Sequence, residues 1–196
     1  GNEIDGDYIL AICGSDLAAR GKLANSEIVS TVMCNLGFSI AMKEQGFEMV
    51  QTAVGDRYVL ERMLADGAVI GGEQSGHIIF LEHMTTGDGQ LAALQLLQIL
   101  CSSEQSLAEL CAEIPRYPQV LINVQVTPEG KQKYNNDEYI ISAVQQAEMD
   151  LMGDGRVLVR VSGTEPLVRV MLEGKDLEKI TRLGNRIADV VRERLS

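Results

Sequence analysis

The 196-residue chain contains no tryptophan, only 4% aromatic residues and four prolines. Its cores must therefore be aliphatic, and proline can interrupt helices and strands at few places. Histidine occurs twice, and Cys13, Cys34, Cys101 and Cys111 show neither a Cys-x-x-Cys pair nor a Cys/His spacing suited to zinc. Three of these cysteines sit among Ala, Ile, Leu and Met, so buried free thiols are expected. A secretory h-region and an apolar run of membrane-spanning length are both lacking, which points to a reducing cytoplasm and no membrane partner. Positive charge is scarce as well, with 17 Lys+Arg against 28 Asp+Glu and a formal net charge of −11. That balance excludes the extended basic footprint of a nucleic-acid partner but leaves room for a small anion in a local pocket. The deficit is uneven: residues 1–116 carry 6 Lys+Arg against 16 Asp+Glu, and residues 117–196 carry 11 against 12.

What is present is ordinary for a globular protein, with 45% hydrophobic and 23% charged residues. The length suits one large or two small domains. Asp7 can cap a helix running through Leu17 toward Gly21, and a strand signal covers 28–33. An amphipathic stretch over 35–45 is closed by Gly46, and a strand pattern runs from Phe47 to Val54. Asp56 reads as the cap of a helix over 57–66 that Gly67 ends. Short apolar strands at 68–70 and 78–81 flank a glycine-rich turn, and Asp88 opens a helix with Leu91, Leu94, Leu97 and Leu100 as its apolar stripe. Helices alternating with short buried strands predict an α/β domain. Periodicity breaks at Ile114-Pro115-Arg116-Tyr117-Pro118, giving a first domain over 1–114, a linker at 115–118 and a second domain over 119–196. The second domain reads as a strand at 120–126, a helix at 138–152, two strands around a turn, and a final helix behind Asp176. That order predicts a small α+β fold with helices on one face of its sheet.

The turn is Arg160-Val161-Ser162-Gly163-Thr164-Glu165-Pro166, followed by Arg169. A guanidinium fork, two hydroxyls and a glycine in one short loop suit a phosphate. If Val157, Val159 and Val161 face the core, together with Val168, Val170 and Leu172, then Arg160 and Arg169 share the opposite face. The same residues also suit a tight hairpin with surface arginines, and Arg169 can equally pair with Glu173. The second polar loop is Gly71-Gly72-Glu73-Gln74-Ser75-Gly76-His77. An ionised Glu accepts from two vicinal hydroxyls, Ser donates or accepts, and His77 can approach a phosphate or move a proton near neutral pH. A plain glycine-rich turn, with Glu73 holding a neighbouring backbone group, fits these residues too.

Taken together, Gly72-Glu73-Gln74-Ser75-Gly76-His77 and Arg160-Val161-Ser162-Gly163-Thr164-Glu165-Pro166 resemble the sugar loop and the phosphate loop of the α-D-phosphohexomutase family. Thr52-Ala53-Val54-Gly55-Asp56-Arg57-Tyr58-Val59 and Thr86-Gly87-Asp88-Gly89 resemble further segments of the family's third domain. The resemblance implies a third domain with a mixed sheet and helices on both faces, then a fourth with an antiparallel sheet and helices on one face. It implies that Glu73 and Ser75 hold sugar hydroxyls, with His77 near the reacting end as an auxiliary to catalysis. Arg160, Ser162, Gly163 and Thr164 would bind the phosphate that does not react, with Gly55, Asp56, Arg57 and Arg169 as a second tier. The implied reaction interconverts glucosamine 6-phosphate and glucosamine 1-phosphate through a phosphoserine and a 1,6-bisphosphate, in amino-sugar precursor supply. The implied cofactors are Mg²⁺, bound outside this chain, and glucose or glucosamine 1,6-bisphosphate as activator.

The family's catalytic serine and its DGDxDR-type metal loop do not occur here; Asp5-Gly6-Asp7 lacks the remaining residues and reads as a turn plus helix cap. The chain opens without Met, as though entered in mid-hairpin, so residues 1–6 are expected to be the end of a preceding domain and the chain an inactive fragment. The whole enzyme is expected to be a homodimer and the fragment a monomer. A branch acting on mannose or glucose phosphates is the nearest alternative, although its loops more often read GEMSGH or GEESG and SNTxP. A non-catalytic module that binds sugar phosphates is the other.

Overall fold

Asp5, rather than Asp7, starts the first helix. It sits in extended backbone and its Oδ1 accepts from Asp7 N at 3.1 Å and Tyr8 N at 3.4 Å, so α1 runs Gly6–Ala19. Asp7 is only 2% exposed, and its Oδ2 accepts from Asn35 N at 2.7 Å. Asn35 in turn caps α2, Leu36–Glu44, by accepting from Gly37 N. One carboxylate therefore starts a helix and the next ties that helix to its neighbour. This computed structural model describes residues 3–196, which divide into two units meeting between Arg116 and Tyr117.

In the first unit, β1 (Glu27–Thr31), β2 (Glu48–Thr52), β3 (Ile70–Gly72) and β4 (Ile78–Phe80) form one mixed sheet in the order β2-β1-β3-β4. β1 is parallel to β2 and β3, whereas β3 and β4 form an antiparallel hairpin. Strand alternation sends successive residues to opposite faces. Ile28, Met49 and Ile78 join a core with α1, α2 and α4 (Gly89–Ser102). Val29, Val50 and Ile79 meet Val59 and Met63 of α3 (Asp56–Asp66) on the other face. Helices thus cover both faces of the sheet.

Three further expectations need correction in this unit. The cap of α3 is Gly55, at φ 134°, and Asp56 is the first helical residue. The α4 stripe is not a buried face: Leu94 is 65% and Leu97 54% exposed, while Ala92 and Ile99 are buried. The thiols also divide, with Cys13 and Cys34 buried, Cys111 half-buried and Cys101 exposed. A short helix, α5 (Leu107–Ala112), has no counterpart in the sequence reading.

The second unit holds β5 (Gln119–Gln125), α6 (Pro128–Lys133), α7 (Glu138–Leu151), β6 (Gly155–Val161), β7 (Leu167–Gly174) and α8 (Leu177–Leu195). β7 lies between β5 and β6, and both pairings are antiparallel. Val168, Val170 and Leu172 face α7 and α8 in one aliphatic core, with Val157, Val159 and Val161 packed against it. Among the described residues no helix is long and apolar enough to cross a membrane.

Candidate functional site

The first loop is the tip of the β3–β4 hairpin. Gly72 pairs with Ile78, Glu73 N donates to His77 O at 3.0 Å, and Gly76 N donates to Glu73 O at 2.9 Å. Gly76 closes this turn at φ +98°, a conformation that favours glycine. The geometry turns Ser75 and His77 outward as exposed side chains and leaves Glu73 half-buried. Glu73 Oε1 accepts from Gly55 N at 3.1 Å, so the loop is coupled to the start of α3. The His77 ring lies against Gly87, where a Cβ would stand 2.6 Å from its Cδ2. Beside the loop is a cleft of about 370 Å³ lined by Thr31, Val54, Glu73, Ser75 and Arg116 among others.

The structure does not bring the Asp56 and Arg57 side chains to this turn. Asp56 Oδ1 accepts from Arg57 N at 2.8 Å, and Arg57 Nε reaches along α3 to Glu61 Oε1 at 2.7 Å.

In the second unit the β6–β7 turn carries the other loop. Arg160 and Arg169 are direct cross-strand partners, and Asn123 of β5 is the partner of Arg169 on its far side. Three polar residues therefore form one row across the sheet face opposite the aliphatic core. Arg169 Nη2 bonds Glu165 Oε2 at 2.8 Å. Glu173 is taken instead by Arg156, its cross-strand partner, at 2.5 Å. No carboxylate pairs with Arg160 among the described residues. Burial, and then the charge of Arg169, lower its pKa. A guanidinium facing a second one with no anion of its own is electrostatically unsatisfied, which is how an anion site presents itself before its ligand arrives.

Ser162 is 3% exposed and its Oγ accepts from Glu165 N at 3.3 Å, so this hydroxyl shapes the turn. Gly163 and Thr164 are exposed. Gly163 lies outside the left-handed region, and a Cβ there would meet nothing within 4 Å, so the turn itself does not demand glycine. Sequence reading missed two neighbours of this loop. Lys131 of α6 donates from Nζ to Glu165 O at 3.2 Å. Asn123 is the other. The Thr127-Pro128 start of α6 was a legible sign for the first, since Thr127 Oγ1 accepts from Gly130 N at 3.0 Å; only strand register reveals the second. Among the described residues no group of three or more His, Cys, Asp or Glu comes together to hold a metal ion.

Comparison with known proteins places both units. Residues 5–117 match the family model for phosphoglucomutase/phosphomannomutase, alpha/beta/alpha domain III, and residues 121–190 match the C-terminal domain of the same family. The chain is 53% identical over its whole length to the phosphoglucosamine mutase of Thermoanaerobacter sp. (strain X514), of which it covers 44%. It therefore spans less than half the length of that curated relative. Among solved structures, the N-acetylphosphoglucosamine mutase of Aspergillus fumigatus superposes with a TM-score of 0.82 at 20% identity, over 97% of this chain and 43% of that one. The complex of the Aspergillus enzyme with GlcNAc-6P and magnesium gives 0.74 at 21%, over 98% of this chain and 44% of that one.

Proposed function

The chain belongs to the phosphoglucomutase/phosphomannomutase family, the α-D-phosphohexomutases, and from that premise we propose that it is the substrate-recognition part of a phosphoglucosamine mutase. The observation that carries the reading is the Arg160–Arg169 pair, in register on one sheet face, with Arg160 lacking a carboxylate partner among the described residues. Arg160 and the backbone and hydroxyl of Gly163 and Thr164 bind the phosphate that does not react, with Ser162 holding the turn and Arg169 in the second tier. In the first unit, Glu73 and Ser75 take sugar hydroxyls, and His77 serves as an auxiliary near the reacting end. Glu73 spends one oxygen on Gly55 N, so Gly55 acts through Glu73. Asp56 and Arg57 stay in the second tier as contacts reached only by rotamer change.

Phosphoryl transfer depends chiefly on positioning and charge stabilisation, so gripping the distal phosphate contributes remote binding energy to a reaction whose phosphoserine and Mg²⁺ lie outside these residues. The substrate pair is glucosamine 6-phosphate and glucosamine 1-phosphate, with a 1,6-bisphosphate between them.

Titration calorimetry of the chain with glucose 1,6-bisphosphate tests the recognition, and a coupled assay with glucosamine 6-phosphate and Mg²⁺ tests the division of labour. Binding without turnover is expected. Arg160→Ala should weaken binding by roughly 10- to 100-fold, the equivalent of one charge-assisted hydrogen bond of about 1.5–3 kcal/mol. Unchanged affinity in Arg160→Ala overturns the phosphate assignment, and appreciable turnover overturns the claim that the chemistry lies elsewhere.

A further inference from the structure

The cleft beside the Glu73–His77 turn has an electrostatic difficulty as a place for a phosphate ester. Glu3, Asp5 and Glu73 line it, and among the described residues Arg116 is the one cation in its lining. A dianionic ligand drawn to Glu73 and Ser75 would meet three carboxylates with a single guanidinium to offset them.

The geometry shows how that guanidinium is held. Asp5 Oδ1 is committed to capping α1 through Asp7 N and Tyr8 N. Asp5 Oδ2 lies 3.4 Å from Gln74 Nε2 in the turn and 3.5 Å from Arg116 Nη2. The same stretch is locked to the turn by its backbone: Gly6 N donates to Gln74 O at 2.9 Å, and a Cβ on Gly6 would collide with the Glu73 carbonyl. One carboxylate thus joins the helix start, the sugar turn and Arg116. The ion pair to Arg116 is long and single, and the guanidinium makes no hydrogen bond among the described residues, so its fork keeps its donors. The side chain is 48% exposed. It lines both this cleft and an adjoining hollow of about 730 Å³ bounded by Tyr8 and Cys111. A surface arginine that merely closes an ion pair would be expected to hold its partner closely and point away from a cleft; this one does neither.

We infer that Arg116 is a further ligand-contacting residue of the first unit, donating to a phosphate group of a bound hexose phosphate, and that Asp5 is the positioning residue that aims it. The inference rests on the sugar-phosphate reading above. It is tested on the full 196-residue chain by calorimetry with glucose 1,6-bisphosphate near neutral pH, comparing Arg116→Gln, Arg116→Lys, Asp5→Asn and Glu73→Ala, with thermal melts of each. Arg116→Gln should weaken binding by about tenfold at unchanged melting temperature, and Arg116→Lys should recover part of the loss. Asp5→Asn separates positioning from charge, because asparagine caps a helix as well as aspartate does. Loss of the aiming contact weakens binding roughly two- to fivefold, whereas simple removal of a negative charge near an anion tightens it. Tighter binding by Asp5→Asn, or an Arg116→Gln affinity within about twofold of the parent, overturns the proposal. If the parent chain fails to bind, the sugar-phosphate reading falls and takes this one with it. If the parent binds and Glu73→Ala weakens it while Arg116→Gln does not, Arg116 alone is refuted.

Discussion

At the scale of single residues, Glu27 is an ionisable group in an unfavourable place. It is 7% exposed at the start of β1, and its strand register sets it opposite Glu48. Burial, and then the charge of Asp66, raise its pKa, with Arg62 opposing. A raised folded-state pKa means that the folded protein holds the proton over a pH window in which the unfolded chain has lost it. The stabilising share of Glu27 is therefore complete below the unfolded carboxyl value and disappears as pH rises through the folded value. At neutral pH the ionised side chain is a cost. Glu27→Gln should stabilise the protein at pH 7, where burial and the neighbouring Asp66 disfavour the parent's carboxylate. The gain should vanish at about pH 3, well below the unfolded carboxyl value, where the parent carboxyl is protonated in both states. Urea denaturation of both proteins at the two pH values checks this, and a gain of equal size at both would trace the effect to packing.

At the scale of elements, α4 separates what apolar composition says from what geometry permits. Leucines at 91, 94, 97 and 100 recur every third residue, and each step of three falls about 60° short of a full turn, so four of them sweep half the helix. No single face can hold them. The buried residues are instead Ala92 and Ile99, about two turns apart, with Leu91 and Leu96 partly buried against the same core. Leu94→Lys and Leu97→Lys are accordingly expected to change stability by no more than about 0.5 kcal/mol each, whereas Ile99→Ala should cost about 2–4 kcal/mol. Chemical denaturation of the three variants checks the contrast, and comparable losses at Leu94 and Ile99 would place the helix face wrongly.

The same reasoning explains what else could be read in advance. The turns at 72–77 and 160–166 were legible because each packs its chemistry into one contiguous run between apolar strands. α5 and α6 are too short for periodicity to register; their signs were the Ser106/Glu109 capping box and the Thr127-Pro128 start. The choice between Asp5 and Asp7 as cap depends on Asn35, and the choice of Arg156 over Arg169 as partner of Glu173 depends on strand register. Both are tertiary facts that no local pattern carries.

At the scale of the whole molecule, the second unit has the marks of a domain that folds by itself. Its central strand β7 finds both sheet neighbours within the unit, and α7 and α8 cover the aliphatic face. The Glu173–Arg156 ion pair is closed within the same sheet. The end of α8 is fastened as well: Leu195 O accepts from Thr127 N at 3.0 Å and from Thr127 Oγ1 at 3.1 Å, at the start of α6. Residues 117–196 expressed alone should therefore melt cooperatively, and Arg160 gives the melt a functional readout. An anion that binds only the folded state raises stability by RT ln(1 + [L]/Kd), about 2.7 kcal/mol at a hundredfold excess over Kd. Inorganic phosphate should raise the melting temperature of this unit in a saturable way, and should do so far less for Arg160→Ala. A general salt effect would lift both proteins alike, and chloride at matched ionic strength serves as the control. A broad, uncooperative melt would show that the unit depends on residues before Tyr117. Equal stabilisation of the parent and Arg160→Ala would show that the paired arginines are not where the anion sits.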